Sequence, residues 1–392
     1  MRICLIVDDY LPGSTKIGAK MMHDLALEFL SRGDVVSVIT PDSTIEGQYE
    51  LDRLDEAAIY RFKTGEIKNA GKFKRAINET VLSMRALFSL YGVLKKRPHD
   101  LIVYYSPSIF WGLLVLVLKK KWKAKSYLVL RDFFPQWVID NGMLSARSPI
   151  TYYFRVFEKI NYLAADRIGV QSNANLSIFS RIYKGDAVEV LYNWSRGNVK
   201  ALRSNYRAEL GLQGKVVFFY GGNIGVAQNM MNVVRLAKRM QAEKDAHFLL
   251  VGSGDEVELI RSAVREQGIN NLTLLPPIPQ ENYFSMLNEF DVGLFSLHMN
   301  HTAHNFPGKL LGYMECSLPI LGSVNGGNDV QSVLVDSGAG LVSINGDDDA
   351  FYENAIALCR EPDLRRDIGG KAFLLLKSQF SVGAAADKIL SN

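Results

Sequence analysis

The strongest constraint on how this chain folds is an alternation of short β-rich apolar segments with helical stretches, which runs through the first half and then begins again in the second. In the first half the strand-like segments are Ile3 to Val7, Val35 to Thr40, Leu101 to Tyr105 and Tyr127 to Leu130, with a helical stretch from Met21 to Ser31 after the first. In the second half Val216 to Tyr220, Phe248 to Val251, Leu272 to Leu275 and Val292 to Phe295 alternate with helical stretches at Met230 to Met240 and Glu256 to Glu266. Strands that read as continuous apolar runs are buried on both faces, which requires helices on either side of a parallel sheet. The expected class is α/β, with two doubly wound domains in tandem.

Length agrees with two domains. A chain of 392 residues with 48% apolar side chains supplies two cores of roughly 150 to 200 residues better than one. The polar stretch Asn193 to Arg207 is the best linker, because little in it can be buried. A hinge there sets the ligand-facing edges of the two domains opposite each other across a cleft.

Charge and cysteine content exclude several classes. With 45 Lys and Arg against 41 Asp and Glu, the net charge of +4 leaves no footprint for nucleic acid. Three widely spaced cysteines, Cys4, Cys316 and Cys359, make neither a disulfide framework nor a zinc cluster, so a reducing cytoplasmic setting is expected. The longest apolar run, Ile109 to Leu118, is about half the roughly 20 residues of a spanning helix. Two helix-like stretches mix apolar and basic residues and can lie at an anionic membrane surface: Lys72 to Lys96, and Ile109 to Lys125, whose end from Lys119 sets Trp122 among lysines. That end predicts peripheral contact with an anionic membrane surface, and burial is expected for Ile109 to Leu118.

Candidate ligand residues sit where strands meet glycines. Phe218 to Gly225 (FFYGGNIG) and Val251 to Asp255 (VGSGD) each run from a strand into a glycine turn. Such turns let backbone N–H groups approach an anion, although either alone can be a tight connection. The third segment, His304 to Lys309 (HNFPGK), leads into Leu310 to Glu315, with Lys309 in the first helical turn, where the helix dipole disfavours a cation. A bound diphosphate removes that conflict; the plainer alternative is a lysine solvated at a loop. His298, His301 and His304 are closely spaced but lack accompanying carboxylate or cysteine ligands, so no metal site is expected. In the first half the loop Asp8 to Lys20 and the pair Arg131-Asp132 both follow strands, which puts them at the ligand edge of a doubly wound sheet. Asp132 there can orient or deprotonate an acceptor hydroxyl, or it can be a local ion pair with Arg131.

In this order these residues resemble the retaining, family-4 type of glycosyltransferase with the GT-B fold, two Rossmann-like domains facing each other across a cleft. The likeness spans nearly the whole chain: the Gly18 loop, Leu130 to Pro135, Ala165 to Ser172, Tyr192-Asn193, Tyr220 to Gln228, Val251 to Gly254 and Phe306 to Gly322. It is nearest to O-antigen and colanic-type enzymes, among them L-FucNAc transferases.

The resemblance implies an acceptor domain over 1–195, with a final helix at about 376–392 packing back on it, and a donor domain over 196–375. It implies a UDP-sugar substrate, an undecaprenyl-diphosphate-linked saccharide acceptor, a place on the inner face of the cytoplasmic membrane and no metal requirement. Gly222, Asn223 and Gly225 would line the phosphates, with Gln228 nearby. Gly252, Gly254 and Pro277 would border the base, and His304, Asn305, Phe306, Pro307, Gly308 and Lys309 the diphosphate and sugar. Lys16, Gly18 and Ser172 fall on the acceptor side, and Arg131, Asp132 and Lys309 are the catalytic candidates.

Two departures from the family pattern stand out. Two acids seven residues apart are replaced by His304 and Gly312, which leaves the ribose to backbone or to Glu315, and the basic pair after the first glycine loop is replaced by Asn223 and Gln228. Lys309 then becomes the main cation for the leaving diphosphate. The alternatives are a sugar-nucleotide 2-epimerase of the same architecture, whose paired acidic motifs are missing, and a non-catalytic nucleotide-sugar-binding subunit. An NAD-dependent oxidoreductase is disfavoured, since no glycine turn completes GxGxxG with an acid about 20 residues on.

Overall fold

A computed structural model describes residues 1–14, 16–66, 78–106, 108–140, 142–183, 185, 187–197, 204–300 and 306–391, apart from the side chains at 137, 140, 280 and 281. The chain divides into two compact units, Met1–Asn193 with Val382–Asn392, and Trp194–Ser381.

The first unit is built on eight strands: β1 (Arg2–Ile6), β2 (Val35–Asp42), β3 (Tyr49–Leu54), β4 (Ala57–Lys63), β5 (Leu101–Tyr105), β6 (Lys125–Val129), β7 (Arg167–Val170) and β8 (Val188–Val190). Their order is β3-β4-β2-β1-β5-β6-β7-β8. All pairs are parallel except β3 with β4, an antiparallel edge that the sequence reading did not anticipate. The reason is local: almost every residue of β3 is exposed, so it lacks the continuous apolar run that marks the buried strands.

β1 and β5, by contrast, are buried along nearly their whole length. Trp111, Leu114, Leu118, Leu128 and Phe179 fill the core on one side of this sheet. The final helix, Val382–Leu390, belongs to this unit: Asp387 binds Arg32 at 2.6 Å and Lys388 donates to the Val190 carbonyl at 2.6 Å. The preceding turn, Leu376–Phe380, lies in the second unit, so the returning segment is shorter than 376–392.

The second unit carries β9 (Val216–Asn223), β10 (Ala246–Ser253), β11 (Leu272–Leu275), β12 (Val292–Ser296), β13 (Ile320–Val324) and β14 (Gly340–Ile344), in the all-parallel order β11-β10-β9-β12-β13-β14. Phe218, Phe248, Val233, Val234 and Leu294 form its own core. The described part of the expected linker is anchored instead of loose. Trp194 is buried, Ser195 N–H donates to Phe380 O at 2.9 Å, and Arg207 holds Asp291 at 2.8 Å while its own N–H donates to Glu289 at 2.7 Å. Polar residues there satisfy one another, which composition alone cannot distinguish from solvation.

Candidate functional site

In a doubly wound sheet ligands collect beyond the carboxyl ends of strands, where the winding reverses. In the second unit that point falls between β9 and β12, and both the glycine loop and the Lys309–Glu315 helix lie there. Tyr313 holds the two strands together: its hydroxyl lies 3.0 Å from Leu294 O on β12 and 3.2 Å from Phe219 O on β9, and it accepts from Gly221 N–H at 3.4 Å.

The second glycine turn makes room for the first. A Cβ on Gly252 would lie 1.8 Å from Gly222 O, and one on Gly254 would lie 2.1 Å from Ile224 O. Only glycine permits that approach of the two strand ends. Gly222 itself has φ 137°, and a Cβ there would meet Lys309 Nζ at 3.3 Å. Lys309 is thus brought onto the glycine loop from the far side of the switch point.

The ammonium of Lys309 lies 3.4 Å from the centre of the Tyr220 ring. The residue keeps some exposed surface, but the charged end is crowded by protein, and burial holds it well below the ordinary lysine range. Among the described residues it has no carboxylate partner. A cation over an aromatic face gains about 1–2 kcal/mol, less than desolvation of the charge costs. The arrangement favours an anion at this position.

The remaining donor-side candidates are placed unevenly. Asn223 Nδ2 donates to Gln228 Oε1 at 2.8 Å, so the two amides that replace the basic pair are tied to each other, and Asp255 lies beside Gly225. Phe306 is buried against Phe380, with ring centres 4.5 Å apart, and Pro307 and the exposed Gly308 lead from it to Lys309. Gly312 is buried, and a Cβ there would face Leu287, Tyr283 and Phe284 at 3.4 to 3.7 Å. Glu315 accepts from Ser195 Oγ at 2.9 Å. Pro277 is exposed on the loop after β11, an outer strand. His304 and Asn305 lie outside the described residues, as does His301.

Three tyrosines escaped the sequence reading: Tyr220 under Lys309, Tyr313 across the strands, and Tyr283, whose ring would meet a Cβ on Gly221 at 2.5 Å. The one available signal was Tyr220 directly before the glycines.

In the first unit the winding reverses between β1 and β5. Gly18 opens the helix Ile17–Ser31 against Tyr105, whose hydroxyl would lie 2.8 Å from a Cβ at Gly18. Burial pushes Asp8 up to about 6, against its own backbone N–H and Lys16. Asp9 accepts from Ser14 at 2.7 Å, with Lys16 Nζ 3.5 Å away. Arg131 is buried, its guanidinium donating to Leu130 O and Tyr192 O at 3.3 Å, and burial brings it down to about 10.

Asp132 keeps exposed surface, yet burial raises its carboxyl, and Arg131 opposes the rise. Ser172 Oγ caps the helix Asn173–Ile182, accepting from Asn175 N–H at 3.1 Å. This is a structural task that the expected acceptor role did not include. Among the described residues no three His, Cys, Asp or Glu side chains cluster as metal ligands.

Residues 214–361, within the second unit, match the family described as "Glycosyl transferases group 1". Over 100% of this chain and 97% of theirs, the coordinates are similar to sucrose-phosphate synthase from Thermosynechococcus elongatus, with a TM-score of 0.69 at 15% identity. They are also similar to Anabaena HepE solved in complex with UDP, with a TM-score of 0.65 at 14% identity, covering 100% and 99% of the two chains. The fold is therefore GT-B, with two Rossmann-like halves. In sequence the chain is 25% identical over 305 residues, 70% of itself and 72% of the relative, to a protein named as a colanic acid biosynthesis glycosyl transferase, WcaI of Escherichia coli (strain K12). Together the family match and this relative support a transferase enzyme of the glycosyltransferase kind.

Proposed function

We infer that the protein moves a sugar from a UDP-sugar to a lipid-linked saccharide during assembly of a surface polysaccharide, with an N-acetylated deoxy amino sugar such as L-FucNAc as the donor sugar. The observation that carries this reading is Lys309, an ammonium enclosed over Tyr220 and against Gly222, with no carboxylate partner among the described residues. A nucleotide diphosphate supplies the missing charge. The UDP in the HepE complex and the polysaccharide role in the name of WcaI favour UDP and a saccharide acceptor.

In this reading the second unit, about 196–375, binds the donor, and the first, 1–195 with the returning helix, binds the acceptor. The bond from the anomeric carbon to the diphosphate oxygen breaks, the acceptor hydroxyl oxygen bonds to that carbon, and its proton passes to the Asp132 carboxylate and from there to solvent. Lys309 and the N–H groups of Gly222 to Gly225 neutralise the leaving UDP. Asp132 orients the acceptor hydroxyl, and Arg131 holds the adjoining strand end. Tyr283, which lies beside Gly312, or Glu315 farther along the helix of Gly312 would take the ribose task that Gly312 leaves open. Catalysis takes place at the inner face of the cytoplasmic membrane, with the protein attached peripherally and the acceptor anchored on undecaprenyl diphosphate.

The test is UDP release from candidate UDP-sugars with and without a lipid-linked acceptor, after a thermal-shift comparison of UDP, GDP and dTDP. Release only when donor and acceptor are both present supports transfer. Donor interconversion without acceptor supports the 2-epimerase. Binding without turnover supports the non-catalytic subunit, the reading that the missing acid at Gly312 favours.

A further inference from the structure

Three helices of the first unit, Leu82–Leu94, Gly112–Trp122 and Pro149–Leu163, lie side by side as one layer. Leu114 N–H donates to Ser83 Oγ at 3.2 Å and the Trp122 indole donates to Leu94 O at 3.1 Å, which joins the first two. A Cβ on Gly112 would lie 2.7 Å from Asn161 N, so the second and third are in close backbone contact. Such a layer buries one face against the sheet and should show a polar face to water.

The outward face here is not polar. On the first helix Met84, Phe88 and Tyr91 are exposed at spacings of four and three, and Lys95 follows four residues on; Phe88 is 81% exposed. On the third, Tyr152, Val156, Lys159 and Leu163 repeat the spacing, with Tyr152 75% and Leu163 59% exposed. Side chains so spaced share one helix face. Leu116 and Val117 are part-exposed on the middle helix, before the exposed Lys120, Lys121 and Lys123.

The charge on this layer has one sign. The three helices contain a single carboxylate, Glu158, which is buried and held by Arg155 at 2.7 Å and Tyr162 at 3.0 Å. We propose that these outward faces form a docking surface for an anionic lipid bilayer, with Phe88, Tyr152 and Leu163 entering the interface and Lys95, Lys120, Lys121, Lys123 and Lys159 meeting the head groups. Aromatic residues at head-group depth and lysines reaching past apolar stems suit that boundary. A second copy of the chain on the same face would set lysines against lysines.

The surface takes in the helix Leu82–Leu94 from the first expected stretch, Lys72 to Lys96, but differs from the lysine-and-tryptophan segment at the end of the second. Trp122 is buried against His99, with ring centres 4.6 Å apart, and Lys119 is bound to Asp166 at 2.6 Å. The aromatic anchors come from the neighbouring helices. Each helix runs back between parallel strands, so Met84 and Tyr152 lie toward the sheet edge that carries Asp8 and Asp132, and the lysines lie toward the other. The inference deepens the acceptor reading above and rests on it only for the purpose of docking.

The experiment is flotation of the full chain with phosphatidylcholine vesicles that contain or lack phosphatidylglycerol, without donor or acceptor. Wild type should float with the anionic vesicles and be released by high salt. Phe88→Ser with Tyr152→Ser, and separately Lys120→Glu with Lys123→Glu, should each weaken binding by about tenfold or more, with unchanged thermal melting. Equal binding to neutral vesicles, or full binding by both variants, overturns the proposal. So does light scattering that shows a wild-type dimer dispersed by the serine variant. Vesicle binding that persists in a protein inactive in every transfer assay would sink the acceptor reading and leave the surface intact.

Discussion

Lys309 Nζ stands 3.4 Å above the ring of Tyr220, the last side chain of β9 before its glycines, although Lys309 itself comes from the helix that follows β12. Two segments far apart in the chain thus share one buried cation, and no carboxylate among the described residues balances it. The arrangement separates a lysine kept for a ligand from one kept for the fold, because the two make opposite stability predictions.

Replacement of Lys309 by Met should leave the melting temperature of the unliganded protein unchanged or higher, since an unbalanced buried charge is removed and its stem is retained. The same change should lower turnover by about 10²–10³-fold and reduce the thermal shift given by UDP. A fall in melting temperature without loss of the UDP shift would assign the lysine to packing.

The pH dependence follows from the sign of the shift. Burial lowers the folded Lys309 below its unfolded value, so the fold disfavours the charged form; this cost is present below the folded value and disappears as pH rises through it toward the unfolded value. A diphosphate favours the charged form. UDP binding at a pH above the lowered folded value should therefore take up a proton, and affinity should fall as pH rises through that value. Calorimetry in two buffers of different ionisation enthalpy measures the uptake, which Lys309→Met should abolish.

Asp8 shows the opposite case. Its folded value is raised to about 6, so the group favours folding most below the unfolded value, and that contribution disappears as pH rises from about 4 to 6. Asp8→Asn should stabilise the protein at neutral pH by on the order of 2 kcal/mol and flatten this part of the pH profile. Urea unfolding at pH 4 and pH 7 makes the comparison. If Asp8 serves the acceptor edge, the stabilised variant should also transfer more slowly.

The glycines should divide sharply. Gly252→Ala drives a methyl to within 1.8 Å of Gly222 O and should cost about 3 kcal/mol or more, with loss of nucleotide binding. Gly312→Ala meets nothing closer than 3.4 Å and should fall within about 1 kcal/mol of wild type. Denaturant midpoints and UDP thermal shifts on the two variants test this contrast.

The central strands were legible because burial on both faces writes a continuous apolar run, as in Ile3 to Val7 and Val216 to Tyr220. β3 was not, since Tyr49–Leu54 is exposed almost throughout. The glycine loop and Lys309 could each be picked out from neighbouring residues, but Tyr313 could not: its role comes from reaching two strands that lie far apart in the sequence. The proposed docking helices were half visible: lysines mark the stretches Lys72 to Lys96 and Lys119 to Lys125, while the third helix, Pro149–Leu163, carries a single lysine among its aromatic residues. Trp122 was misplaced, as a bulky residue among lysines looks identical whether it faces inward or outward.

The first unit is discontinuous in the chain. Its last helix, which is fixed to Arg32 and Val190, is synthesised only after all of Trp194–Ser381. During translation the second unit can therefore finish folding while the first still lacks a wall, and the side of the Ile17–Ser31 helix that Val382–Leu390 later covers waits in contact with water or chaperone. Expression that stalls or is clipped before residue 382 should yield a folded second unit joined to an aggregation-prone first unit, which makes the order of assembly a property of the topology.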